Sequence, residues 1–215
     1  MTTNATTKPV KPDGRTPRRV SPATQRKREQ LLSAVAALIA VKGYEATSMR
    51  DVADAVQVSP AALYYHFNGK EDLLFQIQFH TFATLLQKQE KRASEPGTVE
   101  ERIRRLLIGH LEFFSSHPNE LKVCTFEMES LSGELFDKVE DIRRRYHRLL
   151  SGFVAALMEE RVPAASLEAR SRHASLFVFG MLNWIFMWYD PVRHGSVEQI
   201  GEEMIDLALN GLRPR

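Results

Sequence analysis

Between Thr47 and Lys70 the chain sets hydroxyls, polar-tipped aromatic rings and cations around a tight corner. Arg50 suits a guanine edge or a phosphate, and Thr47 and Ser48 bring hydroxyls to a point where a helix begins, which also suits a phosphate. Ser59, Pro60, Ala61 and Ala62 are small, as side chains must be where a helix lies close to the floor of a groove. Tyr64, Tyr65 and His66 carry hydrogen-bonding tips on aromatic bodies, a match for phosphate oxygens and thymine methyls. Lys70 adds a cation just beyond them. The pattern points to contact with double-stranded DNA. A competing reading makes Tyr64, Tyr65 and His66 boundary residues of a small helical bundle. One of them is in any case expected to be partly buried, because Leu63 and Phe67 on the same short helix must face inward.

Two short helices have to position these groups. One, from Met49 to Ala55, is capped by Thr47 or Ser48. Gln57-Val58 turns the chain, and Ser59-Pro60 opens the next helix with a capping hydroxyl and a proline at its first position. That helix runs to about Phe67, where Asn68-Gly69 breaks it. Ahead of the pair, Leu31, Leu32, Val35, Leu38, Ile39 and Val41 recur at helical spacing up to Lys42, and Gly43 is a stop signal. Charge supports a polyanion partner. Residues 1–70 hold eleven Lys/Arg against five Asp/Glu, whereas the other 145 hold eighteen against twenty-two. A merely solvated basic tail accounts for the same counts. Residues 1–22, with Lys8, Lys11, Arg15, Arg18 and Arg19 among Thr and Pro, lack the apolar surface to offset ordering entropy and read as a disordered basic arm.

The remainder reads as helical throughout, about nine helices in all, with no strand, hairpin or repeat signal. The expected division is an arm over 1–22, a helix-turn-helix domain over 23–69 and a larger helical domain over 70–215. Phe79, Phe82, Phe113, Phe114, Phe126, Phe153, Phe177 and Trp184 are candidates to line an apolar cavity, with Asn183, Glu127, Glu129 and His110 as polar candidates. Taken singly, each aromatic is more at home as simple core. From Ser166 to Tyr189 the chain is apolar on nearly all sides, so burial on two faces is expected. A single cysteine, Cys124, excludes an internal disulfide and suits a reducing cytoplasm. The basic start has no apolar segment of a secretory signal, and the run from Ala174 to Tyr189 is short for a bilayer. His110, His117 and Cys124 lack metal-ligand spacing, so no metal is expected. No phosphate loop or nucleophile elbow is present, so no enzyme activity or cofactor is expected.

Gly43-Tyr44 with Thr47-Ser48, Asp51-Val52-Ala53, Leu63-Tyr64-Tyr65-His66-Phe67 and Lys70-Glu71-Asp72-Leu73-Leu74 together resemble the N-terminal domain of the TetR family of bacterial transcriptional regulators. The resemblance covers residues 24–74. It implies a repressor that binds a palindromic operator as a homodimer and is released by a small hydrophobic effector. It places Arg50, Pro60, Ala61 and Ala62 at bases, and Thr47, Ser48, Tyr64, Tyr65, His66 and Lys70 mainly at phosphates. It puts the dimer interface on the two closing helices, from Ser166 to Tyr189 and from Val197 to Leu212. The C-terminal segment, with Asn183-Trp184 and Trp188-Tyr189-Asp190-Pro191, is similar to members that respond to acyl-CoA thioesters of lipid or steroid degradation. Arg143, Arg144, Arg145 and Arg148 would then meet the CoA phosphates, unless they simply pair with Glu140 and Asp141 on a solvated face. An uncharged hydrophobic drug or metabolite is the alternative effector. A helical small-molecule-binding or enzymatic dimer with a purely structural front is the alternative from another class.

Overall fold

The computed structural model describes residues 22–159 and 162–210. Every regular element among them is helical. The order is α1 (Pro22–Lys42), α2 (Met49–Ala55), α3 (Pro60–His66), α4 (Lys70–Ser94), α5 (Val99–Ser115), α6 (Pro118–Phe126), α7 (Gly133–Met158), α8 (Ala164–Asn183), α9 (Pro191–His194) and α10 (Val197–Asn210). The expected basic arm before Pro22 lies outside the described residues, as do Gly211 and Leu212 at the far end of the expected closing helix.

The all-α reading holds, with ten α-helices rather than nine among the described residues. The tenth is α9, in a stretch that reads as loop. Pro191 occupies its first turn and the Asp190 carboxylate accepts from Val192 N–H at 2.8 Å. The long helix expected from Ser166 to Tyr189 stops at Asn183, and a single 3-10 turn, Ile185–Met187, follows. Burial of Ile185 against the body core redirects the chain there, and the Tyr189 hydroxyl donates to Gly195 O at 3.1 Å. The stretch from Asn119 to Leu131, which holds no proline or glycine and reads as one helix, also divides. The helix ends at Phe126, and a 3-10 turn at Met128–Ser130 carries Leu131 into the core.

Two apolar cores share one long helix. Leu32, Val35, Ile39, Val52, Leu63 and Phe67 of the head pack with Leu73, Leu74 and Ile77 at the start of α4. Further along, Leu85, Leu86 and Ala93 of α4 join Leu106, Leu111, Phe114, Ile142, Leu150, Leu182 and Ile205 in the body. The head core also takes Val123, Leu131 and Val139 from beyond α5. Polar contacts tie the same surfaces together. Lys122 Nζ donates to Ala40 O at 2.5 Å near the end of α1, and Tyr44 N–H donates to Glu127 Oε1 at 3.2 Å. A cation beside the last carbonyls of a helix complements its dipole. The head is therefore held by α4 and α6 together.

Candidate nucleic-acid interface and ligand cavity

Local hydrogen bonds close both ends of α2. The Ser48 hydroxyl accepts from Asp51 N–H at 3.1 Å, and the Asp51 carboxylate accepts from Ser48 N–H at 2.7 Å, a reciprocal capping box. Lys42 pairs with the same carboxylate at 2.7 Å. Lys42 first and Ser48 second hold the Asp51 carboxyl well below the usual carboxylate range. At the corner, Gln57 takes a left-handed φ of 56°. Its N–H donates to Asp54 O at 3.3 Å and the Val58 N–H to Ala53 O at 3.0 Å, the paired closure of a Schellman motif. Ser59 then caps α3, accepting from Ala62 N–H at 3.1 Å, with Pro60 in the first turn.

Leu63 is the buried residue of α3, and Phe67 at its C-terminal cap is buried beside it. Pro60, Ala61, Ala62, Tyr64, Tyr65 and His66 all face solvent. Tyr64 is 57% exposed and Tyr65 86%, and His66 is exposed as well, so none of the three is the expected part-buried residue: Leu63 and Phe67 alone fill the inward side. Their exposure leaves a continuous face of small residues followed by polar-tipped rings. Arg50, on the first turn of α2, is exposed and has no hydrogen-bond or ion-pair partner among the described residues.

Three of the expected phosphate contacts are engaged elsewhere. Thr47 is buried, its hydroxyl donates to Gly43 O at 2.7 Å, and it closes the turn after α1. Gly43 makes that turn at φ 84°, a conformation that costs a residue with a Cβ. Lys70 donates to Tyr44 O at 3.2 Å and to Glu45 O at 3.4 Å, and its ammonium lies 4.2 Å from the centre of the Tyr44 ring. It clamps the loop between α1 and α2. Ser48 is exposed, but its hydroxyl proton is directed at Asp51 Oδ2, 2.6 Å away.

A cavity of about 360 Å³ is lined by residues of α4, α5, α7 and α8. Phe82, Tyr146, Leu176 and Phe179 give it an apolar wall. Arg143, Arg144, Arg172 and Glu140 supply its charged lining, Arg144 and Arg172 being exposed, and His110, His147 and Asn183 also line it. Arg143 donates to Cys124 O at 3.3 Å and lies 5.2 Å from the centre of the Phe82 ring, while Arg144 pairs with Glu140 at 2.8 Å. A buried polar chain runs beneath. Gln89 Nε2 donates to Leu106 O at 2.8 Å and to the Tyr146 hydroxyl at 3.4 Å, and that hydroxyl lies 2.8 Å from His110 Nδ1. Burial pushes the His110 pKa down to about 3 and raises that of the Tyr146 phenol, so both are neutral. Nε2 of His110 and Nε2 of His147 are buried with no hydrogen-bond partner among the described residues.

The structure brings only some of the expected cavity residues together. Phe82, His110 and Asn183 line the cavity, as do Arg143 and Arg144. Phe113 and Phe114 are buried in the body core, and Phe153 is partly buried against it. Phe79 lies in a separate groove with Ile142 and Arg145, and Phe126 is exposed beside the end of α1. Phe177 and Trp184 share an outer apolar face with Leu176, Gly180, Met181, Trp188 and Met204. Glu127 is occupied with Tyr44, and Glu129 is exposed. Arg145 pairs with Glu90, and Arg148 is exposed outside the cavity. Tyr146, His147, Arg172, Leu176 and Phe179 are lining residues that sequence reasoning misses. The signal for them is a stripe: 140, 143 and then 146 or 147 on α7, and 172, 176, 179, 183 on α8, recur at three and four residues.

The sequence pattern of "Bacterial regulatory proteins, tetR family" matches residues 31–77. That of "Tetracyclin repressor-like, C-terminal domain" matches residues 96–212, more than half of the chain. The chain belongs to the TetR family. Its α2–α3 pair is thus the TetR helix-turn-helix, and the helices from α5 onward lie within the match to the C-terminal domain; the family is one of DNA-binding transcription regulators, not of enzymes. Among TetR-family relatives, the HTH-type transcriptional repressor KstR2 of Mycobacterium tuberculosis (strain ATCC 25618 / H37Rv) is 22% identical over 199 residues, covering 90% of this chain and 96% of its own. The crystal structure of the TetR regulator PfmR from Thermus thermophilus is 30% identical with a TM-score of 0.76, covering 86% of this chain and all of that one (100%). AibR, solved in complex with isovaleryl coenzyme A and operator DNA, shares the fold at 24% identity and a TM-score of 0.74, covering 84% of this chain and 97% of that one. Among the described residues no helix is long and apolar enough to cross a membrane.

Proposed function

We propose that the protein is a ligand-responsive repressor that binds a palindromic operator as a homodimer and is released by an acyl-CoA thioester. The observation that carries the DNA reading is the exposed face of α3, from Pro60 to His66, with Leu63 its buried anchor. Small residues at the front of a recognition helix let the backbone approach base edges, and the polar rings behind them reach phosphates. Arg50 supplies a cation beside that face. With few direct hydrogen-bond donors at the bases, operator shape carries part of the specificity.

The face formed by Phe177, Gly180, Met181, Trp184 and Trp188 supports dimerisation through α8 and α10, the segments of the expected interface. An apolar patch of this kind seeks a partner, and a second copy would place two α3 helices in successive major grooves, about 34–36 Å apart. The cavity supports an effector with an apolar part and an anionic part, given its aromatic wall and its three arginines. AibR is solved with isovaleryl coenzyme A, a molecule of that kind. An effector acts only through its different affinity for the DNA-competent and released states. The route that supports coupling runs from Arg143 to Cys124 O on α6, and from Lys122 on α6 to Ala40 O on α1.

A second reading, an uncharged hydrophobic effector, is favoured by the Arg144–Glu140 pair, which neutralises part of that charge. Footprinting on the gene's own upstream region tests the main reading. Protection expected at low and moderate salt should be lost with Tyr65→Ala and relieved by acyl-CoA. Protection unaffected by acyl-CoA, but relieved by uncharged lipophiles, supports the second reading. No protection at all overturns the repressor.

A further inference from the structure

We propose that His110 reads the effector's carbonyl group: its Nε2–H donates to the oxygen of an acyl thioester whose chain lies against Phe82 and Phe179. This rests on the acyl-CoA reading above and adds to it the atom that is recognised.

The inference follows from where the protons of a buried chain must go. Gln89 Nε2 faces the Leu106 carbonyl at 2.8 Å, which fixes the orientation of that amide. The same nitrogen donates to the Tyr146 oxygen. The phenol, neutral because burial disfavours its anion, keeps one proton to give. Its near acceptor is His110 Nδ1, at 2.8 Å. If Nδ1 instead carried the proton, the Tyr146 oxygen would accept twice and its own proton would be left without an acceptor in the chain. The imidazole is neutral, so its single proton sits on Nε2.

His110 lines the cavity and is only 1% exposed, and its Nε2 meets no partner at hydrogen-bond geometry among the described residues. A buried donor left unpaired is costly, and a ligand acceptor removes the cost. The Asn183 side chain lies close enough to the ring to favour its protonated form, yet it does not meet Nε2 at hydrogen-bond geometry, so a ligand carbonyl competes with that amide for the Nε2 proton. A neutral donor selects an uncharged acceptor over a second donor, which fits a thioester carbonyl. A cavity of about 360 Å³ holds the acyl end, and Arg143, Arg144 and Arg172 in its lining are the cations for the anionic remainder. The Phe179 ring packs against both His110 and Tyr146, at 6.1 and 5.4 Å, so the chain of the effector and the donor that reads it share one wall.

Calorimetry on the full chain tests this with a series of acyl-CoA thioesters, from short branched to long straight chains, and with the thioether analogue of the tightest, in which CH2 replaces C=O. The thioester is expected to bind about ten-fold to a hundred-fold more tightly than the thioether, the discrimination typical of a site whose polar group is otherwise left unpaired. In Tyr146→Phe, which frees the tautomer, that ratio should shrink. Equal affinities in the wild type overturn the role of His110 while leaving the effector class intact. Binding of neither compound overturns the acyl-CoA reading itself. A ligand-free measurement stands apart from both: proton–nitrogen correlation on protein with nitrogen-labelled histidine should find His110 neutral and protonated on Nε2. A proton on Nδ1 overturns the assignment whatever binds.

Discussion

Arg50 stands free of partners among the described residues on the exposed side of α2, whereas Lys70 is spent on the carbonyls of Tyr44 and Glu45. The two cations should therefore fail differently when removed. Arg50→Ala is expected to leave unfolding within about 0.5 kcal/mol of wild type. It should weaken operator binding by about 1–3 kcal/mol if it reads a base, or lower the salt slope by about one if it holds a phosphate. Anisotropy titrations on operator and scrambled duplexes at several salt concentrations separate the two. Lys70→Met should instead lose about 1 kcal/mol in urea unfolding, since it breaks hydrogen bonds that hold a loop. Acid sensitivity belongs to the same scale. Burial lowers the pKa of His110, His80 and His147 in the folded chain, so the unfolded chain binds more protons below its ordinary histidine pKa. Stability is full above that value and falls as pH drops below 6.5. The His110 contribution continues until its folded value near 3 is reached. His110→Gln should flatten the curve of urea midpoint against pH between those limits.

The α2–α3 corner turns on one non-glycine residue in left-handed backbone. Gln57→Gly relieves that conformation while adding freedom to the unfolded chain, so its net effect should be small. Gln57→Val places a branched side chain where it is least tolerated and should destabilise the head by about 1–2 kcal/mol. Thermal unfolding of the two variants side by side checks the contrast. Corners of this kind are legible from sequence because their signals are local: Ser48 with Asp51, Ser59 with Pro60, and Thr98 with Glu101 each sit within three residues of their partners. The end of α8 is not legible. No glycine or proline follows Asn183 directly, and what stops the helix is Ile185 finding the body core. The cavity is legible only in part for a similar reason. A search for aromatics finds Phe82 but also finds core residues such as Phe114. It cannot tell which stripe of α7 meets α8, and so it passes over Tyr146 and Phe179. Thr47 and Lys70 read as phosphate contacts in sequence because their partners, Gly43 and Tyr44, become visible only once the loop is folded.

At the scale of the whole molecule, α4 and α6 join two cores that have different tasks, and the outer face of α8 leaves room for a third contact. Phe177 is 72% exposed on that face, so Phe177→Glu costs the isolated fold little. In the proposed dimer it would bury a charge. Sedimentation should find the variant monomeric at concentrations where wild type is paired. Its operator affinity should drop, because a single half-site contact remains. If the variant still pairs, the interface lies elsewhere.

Both tryptophans of the chain, Trp184 and Trp188, lie on this same face, 51% and 42% exposed. Their indoles would move from water into protein when two copies meet, so the emission of the unlabelled protein becomes a gauge of pairing. On dilution the spectrum should shift to the red at the same concentration at which the melting temperature begins to fall, because association and folding then draw on one mass-action balance.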